Sequence, residues 1–399
     1  MTTKPLGPGR VAAGEAAVTK REGFDLDELR SIVEVEIALE EYPLADAVVD
    51  RALVYRTEAL RSCLGDLDQA AAARSELTRA LHDGPGVIVI TGAIEPAVVD
   101  RATEVFERII AAEREAGTGG GDHYAEPGAN DRLWNALEKL AVADPEVFVD
   151  YHGSDMIDLA SLAWLGPGYQ ITAQLNAINP GGAAQMPHRD YHVGFMTDEV
   201  AERYPIHAHR LSPLLTLQGG IAHCHMPPET GATMLLPHSH KYELGYLAWR
   251  RPELIEYFAE HHVQIELDQG DLVFFSPAVF HAGGHNRTND VRRMANLLQI
   301  SSAMGRATEA VDRERIVNAI YPALLRRQEE GVDPTVIACA VAASAEGYAF
   351  PTNLDRDVPI GGLTPPSQQD LVIEALADKT PPDELAAQLI AHRNRRATH

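Results

Sequence analysis

A chain of 399 residues is long enough to bury a sizeable core, and its apolar content is that of an ordinary globular protein. With 34 basic against 58 acidic residues the net charge is −24, which disfavours nucleic acid or an anionic membrane as partner and leaves a small molecule as the expected ligand. No run of about 18 uncharged apolar residues occurs, the N-terminal stretch lacks the apolar core of an export signal, and Cys63, Cys224 and Cys339 form no CxxC pair. A cytoplasmic protein with reduced thiols is expected.

In chain order, Asp25 to about Asp83 reads mostly as helix, because "LDELRSIVEVEIALEEY" and "AVVDRALVYRTEALRSCL" carry apolar residues at three- and four-residue intervals. "GPGVIVITGAI" (84–94) is a β-branched run bounded by glycine and proline and predicts a strand. "EPAVVDRATEVFERIIAAERE" then predicts an amphipathic helix. The glycine-rich "AGTGGGDHYAEPGAND" (116–131) follows a helix and has no lysine after its glycines, so it reads as a loop, and as a candidate lid, rather than a phosphate cradle.

From Gly168 to about Ser302 the texture turns to β. "YQITAQLNAI", "LLTLQGGIA", "ATMLLP", "HVQIEL", "DLVFFS" and "MANLLQIS" are short apolar or alternating runs between turn residues, as in a sandwich or barrel. After Gly305 four helical patterns return, with a Pro/Gly-rich connection at 351–367.

The chemistry-bearing stretch is "MPHRDYH". In an extended segment His188 and Asp190 project to one side, as an imidazole and a carboxylate must to share one metal ion. A second block, "GDLVFFSPAVFHAGGHN", brings His281 from a distant strand. Two histidines and one carboxylate form a set that suits non-haem Fe(II), with positions left for substrate and oxygen.

Three blocks together resemble the phytanoyl-CoA dioxygenase family of Fe(II)- and 2-oxoglutarate-dependent oxygenases: "INPGGAAQMPHRDYH", "ETGATMLLPHSHK" and "GDLVFFSPAVFHAGGHN". The resemblance implies a mainly β core with helical additions, a double-stranded β-helix or jelly roll. It also implies a metal triad of His188, Asp190 and His281, with Fe(II), 2-oxoglutarate and O2 as cofactor and cosubstrates. The family's arginine, about eleven residues beyond the distal histidine, falls on Arg292, with Arg293 beside it; alternation lets one point inward, and Arg292 is the favoured choice. The guanidinium fork matches the far carboxylate of 2-oxoglutarate. Gln174 and Asn176 alternate with apolar neighbours; Gln174 is a candidate for the cosubstrate and Asn176 for the substrate or the surrounding shell, as are His192, His223, His225 and Asn286.

The chain departs from the family at His238, where a glycine is usual, at "HCH" (223–225), where an acidic pair is usual, and at Gly220, where an aromatic residue is common. Asp190 retains the carboxylate that related halogenases lack. The expected organisation is an N-terminal helical extension (1–72), the oxygenase domain (73–305) and a C-terminal helical extension packed on it (306–399), the helical ends being candidates for a lid or a homodimer interface. The expected reaction is hydroxylation of an unactivated C–H bond of a small metabolite or natural-product intermediate, with release of succinate and CO2. A cupin-like metal enzyme without 2-oxoglutarate and a non-catalytic binding protein are the alternatives.

Overall fold

The computed structural model describes residues 23–118 and 130–398. Eleven strands build two sheets among them: β1 (Ala47–Val49), β2 (Ala52–Arg56), β3 (Val87–Thr91), β4 (Asn130–Leu133), β5 (Gln170–Ile178), β6 (Thr216–Ala222), β7 (Met234–Leu236), β8 (Val263–Gln264), β9 (Leu272–Phe275), β10 (Phe280–Ala282) and β11 (Arg293–Ser301). The large sheet runs β1-β2-β3-β9-β6-β11-β5-β4 and the small one β10-β7-β8, every pairing antiparallel except β2 with β3. This is a double-stranded β-helix flanked by helices.

Period-two alternation sorts the large sheet into two faces. Outward residues such as Ile88, Ile90, Leu175, Phe274, Leu298 and Ile300 join one apolar cluster with the helices Ala136–Ala143, Pro145–His152, Asp155–Leu165 and Arg313–Glu329. Inward residues Val87, Val89, Val273, Phe275 and Ala295 meet Leu235, Ile265 and Leu267 from the small-sheet side. With both faces covered, strands such as β3 and β9 read as continuous apolar runs. The helix Leu26–Val33 packs behind the small sheet on Leu236, Phe280 and Ala282. Its N-cap Asp25 accepts from the amides of Asp27 and Glu28.

The helical reading of the N-terminal segment needs correction. Leu26–Val33, Thr57–Cys63 and Leu67–His82 are α-helices there, as expected; residues 47–56, expected to be helical, instead form the β1–β2 hairpin, and β2 enters the large sheet beside β3. Apolar residues at 48, 49, 52 and 53 fit either period. Pairing with β3 selects the strand, and Asp50 and Arg51 (φ 46° and 62°) make the tight turn that joins right-twisted strands. The large sheet thus extends into the segment read as a separate extension. The glycine-rich loop expected at 116–131 lies largely outside the described residues.

Candidate metal centre and active-site cavity

The His-Arg-Asp stretch is held extended by the strand that carries the third ligand. His188 N donates to His281 O at 2.9 Å, His281 N to His188 O at 3.1 Å, and Asp190 N to Pro277 O at 3.1 Å. His188 and Asp190 therefore face one way. Arg189 faces the other, where its guanidinium donates to the carbonyls of Ser239 (2.5 Å) and Tyr242 (3.0 Å) and lies over the Phe280 and Tyr246 rings. On β10, Phe280 and Ala282 turn outward to the helix behind, leaving His281 turned inward.

One ligand atom from each of His188, Asp190 and His281 lies within 4.8 Å of the other two. Asp190 Oδ2 is 3.2 Å from His281 Nε2, and Asp190 Oδ1 is 3.7 Å from His188 Nε2. Both imidazole Nδ1 atoms sit 2.9 Å from carbonyl oxygens, of Met186 and Val279. A carbonyl only accepts, so each Nδ1 carries the proton and each Nε2 turns its lone pair toward Asp190. This is how outer carbonyls orient metal-binding histidines. Burial alone would raise the Asp190 carboxyl, but the positive charge that His188 and His281 carry when protonated, with the Gln218 amide, outweighs it and holds the group well below the usual carboxylate range. Two imidazole nitrogens, neutral as metal ligands must be, and an ionised carboxylate would fit a divalent ion of the Fe(II) kind.

Directly after the triad's aspartate, Tyr191 and His192 adopt positive φ (64° and 50°), a conformation that side chains other than glycine rarely take and that clusters at functional sites. It turns the Tyr191 ring into the cavity, with its hydroxyl beside the Gln299 side chain.

The triad opens on a cavity of about 600 Å³. Its sheet wall follows the strand register: across β11, β5 and β6, Gln299 lies level with Gln218, Leu297 with Gln174 and Gly220, and Ala295 with Asn176, which in turn faces Arg132 of β4. Arg293 begins the same face of β11. The opposite wall, including Met226, Leu235, Ile265 and Leu267, is apolar. Arg293 is 3% exposed, with a buried Nε that meets no acceptor among the described residues. Burial pushes it down to about 10, so it stays a cation at neutral pH.

Of the residues singled out in the sequence, Gln174, Asn176 and Arg293 line this cavity with the triad. Gln174 accepts from Arg132 Nε at 3.0 Å and donates to Gln299 at 3.3 Å. Arg292, the favoured inward arginine, points out instead and pairs with Glu107 and Asp131; the strand's inward phase starts one residue later than the spacing implied. His192 bonds Thr216. His223 is buried on the outer face between Thr103 and Tyr151, each 2.7 Å away. His225 lies between Glu266 and Asp268 at the surface. Asn286 ties its own loop to the carbonyls of Ile178 and Val291. None of these four lines the cavity. His238 has φ 69°, which is why glycine suits that position. Gly220 lines the cavity, and a Cβ there would meet nothing closer than 3.7 Å; an aromatic side chain's volume is given over to the cavity. Gln218, Arg132, Trp134 and Gln299 were not singled out, although Gln218 and Gln299 interrupt apolar strands as Gln174 does.

These features define a candidate metal centre of two histidines and a carboxylate on a double-stranded β-helix. Residues 83–294, more than half of the chain, match the family Phytanoyl-CoA dioxygenase (PhyH), and the chain belongs to that family. It is 26% identical to Dioxygenase trt7 of Aspergillus terreus over 215 residues, 52% of this chain and 67% of that protein. Among solved structures it is similar to AviO1 from Streptomyces viridochromogenes (21% identity, 61% of this chain and 98% of that one, TM-score 0.43). It is also similar to the non-heme alpha ketoglutarate dependent epimerase SnoN from nogalamycin biosynthesis (17% identity, 58% and 82%, TM-score 0.39). No helix among the described residues is long and apolar enough to cross a membrane.

Proposed function

We propose that the protein is an Fe(II)- and 2-oxoglutarate-dependent oxygenase that hydroxylates an unactivated C–H bond of a small, largely apolar molecule. The observation that carries this reading is the pairing, in one cavity, of converging His188 and His281 nitrogens and the Asp190 carboxylate with the buried Arg293 cation. When bound, iron with 2-oxoglutarate supplies the power to oxidise such a bond, with release of succinate and CO2. The chain's part is geometric and electrostatic. His188, Asp190 and His281 hold the ion, their tautomers set by the Met186 and Val279 carbonyls. Arg293 takes the far carboxylate of the cosubstrate, a bidentate partner for a buried guanidinium that has no counter-ion among the described residues. The apolar wall excludes water from the reacting centre.

A cavity of about 600 Å³ is in the range that holds a drug-sized ligand. Met186 and Phe195 form an exposed apolar lip at its mouth, 58% and 61% exposed. A CoA thioester fits poorly: Arg210, Arg250 and Arg251 already pair with Glu243, Asp198 and Glu253, and Lys241 faces His238, so these cations form no unpaired track for phosphates. The substrate class that suits the cavity is a free metabolite or natural-product intermediate.

The test is anaerobic titration of metal-free protein with Fe(II) and 2-oxoglutarate, following the visible charge-transfer band of the chelate. The band is expected in the unaltered protein and in Arg292→Gln, and absent in His188→Ala. Arg293→Gln is expected to require roughly ten- to a hundredfold more 2-oxoglutarate, the worth of one charge-assisted hydrogen-bonded pair. Iron binding without a band would instead favour a cupin-like enzyme that does not use 2-oxoglutarate.

A further inference from the structure

Gln218 is placed against the metal centre in a way that none of the tasks above explains. It projects from β6 onto the inner sheet face, level with Gln299 and Phe275. Its Nε2 lies 2.7 Å from Asp190 Oδ2 and 3.2 Å from His281 Nε2. Asp190 is a carboxylate and can only accept, and it is the nearer of the two. The amide therefore cannot be turned over, because its NH2 must face the triad. Its Oε1 is consequently directed elsewhere. That oxygen is buried and meets no donor among the described residues. Leaving a buried acceptor unpaired costs about 1–3 kcal/mol, a cost removed by any ligand that brings a donor to it.

Neither expected cosubstrate brings one. At neutral pH 2-oxoglutarate is a dianion without an N–H or O–H group, and dioxygen has no hydrogen. We infer that Gln218 is a positioning residue: through Nε2 it fixes the Asp190 carboxylate, and at Oε1 it accepts a hydrogen bond from an O–H or N–H donor held beside the metal. That donor is either a water on the metal or a hydroxyl or amine of the substrate, and the second source would make the substrate an alcohol or amine functionalised near that group. Gly219 and Gly220 follow Gln218 on the strand, and the open space at Gly220 lets a ligand approach this part of the wall. The inference rests on the metal-centre reading above.

Cobalt(II) is the probe, because its visible bands report both binding and coordination number without turnover. Co(II) and then 2-oxoglutarate are titrated into the unaltered protein, His188→Ala, Gln218→Leu and the near-isosteric Gln218→Met. Loss of the amide is expected to weaken Co(II) binding about ten- to a hundredfold, as removal of an outer hydrogen bond to a metal ligand does. In the metal-free variants the loss of the hydrogen bond to Asp190 and the removal of the unpaired oxygen oppose each other, so the thermal midpoint should stay close to that of the unaltered protein, and the shift in Co(II) affinity and bands is what a merely structural role would not produce. With 2-oxoglutarate present, a change from six- to five-coordinate bands in the variants assigns the donor to the metal's water. Unchanged bands together with weakened affinity assign it to the substrate. Equal Co(II) affinity in the unaltered protein and Gln218→Met overturns the inference. Failure of the unaltered protein to bind Co(II), or undiminished binding by His188→Ala, would overturn the metal-centre reading itself.

Discussion

Between the two ligands of the His-Arg-Asp stretch, Arg189 has as strong a claim on the geometry as the ligands have. It is 2% exposed and has no carboxylate partner among the described residues; two carbonyls and two ring faces hold its charge, an arrangement in which hydrogen bonding and cation–π attraction offset desolvation. The guanidinium passes so close to Gly245 that a Cβ there would lie 1.8 Å from its Cζ. Gly245→Ala must therefore displace either the backbone or the arginine. A loss of about 1–3 kcal/mol is expected from such overpacking, read by denaturant unfolding, together with weaker Co(II) binding because His188 and Asp190 flank the displaced residue. Unchanged metal affinity would show that the Pro277 and His281 backbone bonds suffice to hold the ligands.

At the scale of elements, β11 separates function from packing by alternation alone. Leu297 faces the cavity level with Gln174 and Gly220, whereas Leu298 is fully buried against the helices. Leu298→Ala is expected to cost about 2–5 kcal/mol, as for other buried leucines, and to leave 2-oxoglutarate affinity unaltered in the folded fraction. Leu297→Ala should cost far less and mainly enlarge the cavity. Similar losses from both, measured by chemical denaturation, would contradict this division. The same one-residue phase exchanges the roles of Arg292 and Arg293: the ion pairs to Glu107 and Asp131 hold the first outside, and the pairing of Arg293 with Ile178 of β5 begins the inward set.

In the whole molecule, the sheet's outer face and the C-terminal helices share one apolar cluster, in which Ile320, Leu324, Val341 and Leu385 pack with Leu298 and Phe274. Burial at this depth also takes in histidines. His152, His223 and His238 are at most 4% exposed, and burial pushes each down to about 3 from an ordinary 6.5. Below about pH 6.5 the unfolded chain takes up protons that the folded chain refuses. Stability therefore falls as pH drops from about 6.5 toward about 3, by up to about 1.4 kcal/mol per pH unit for each group. Denaturation of the metal-free protein at pH 7 and pH 5 should show this loss. His223→Gln should make it shallower by one group's share, and an unchanged slope would remove His223 from the account.

Local chemistry in the sequence determined much of this protein. β-branched runs between turn residues marked the strands of the jelly roll, and two-residue spacing in "HRD" marked His188 and Asp190 as a pair. Residue order across three blocks pointed to His281 and to the family. The tertiary structure alone decided three matters, each dependent on contacts distant in sequence. Pairing with β3 made residues 47–56 a hairpin, although their apolar spacing fits a helix as well. The register of β11 turned Arg293 inward, because a strand's phase is set by its partner and not by a count from His281. Burial against Thr103 and Tyr151 kept His223 out of the cavity, while β6 brought Gln218 to Asp190 across 28 residues. Sequence spacing carries the period of an element, but which face meets the metal is settled only when the sheets close on each other.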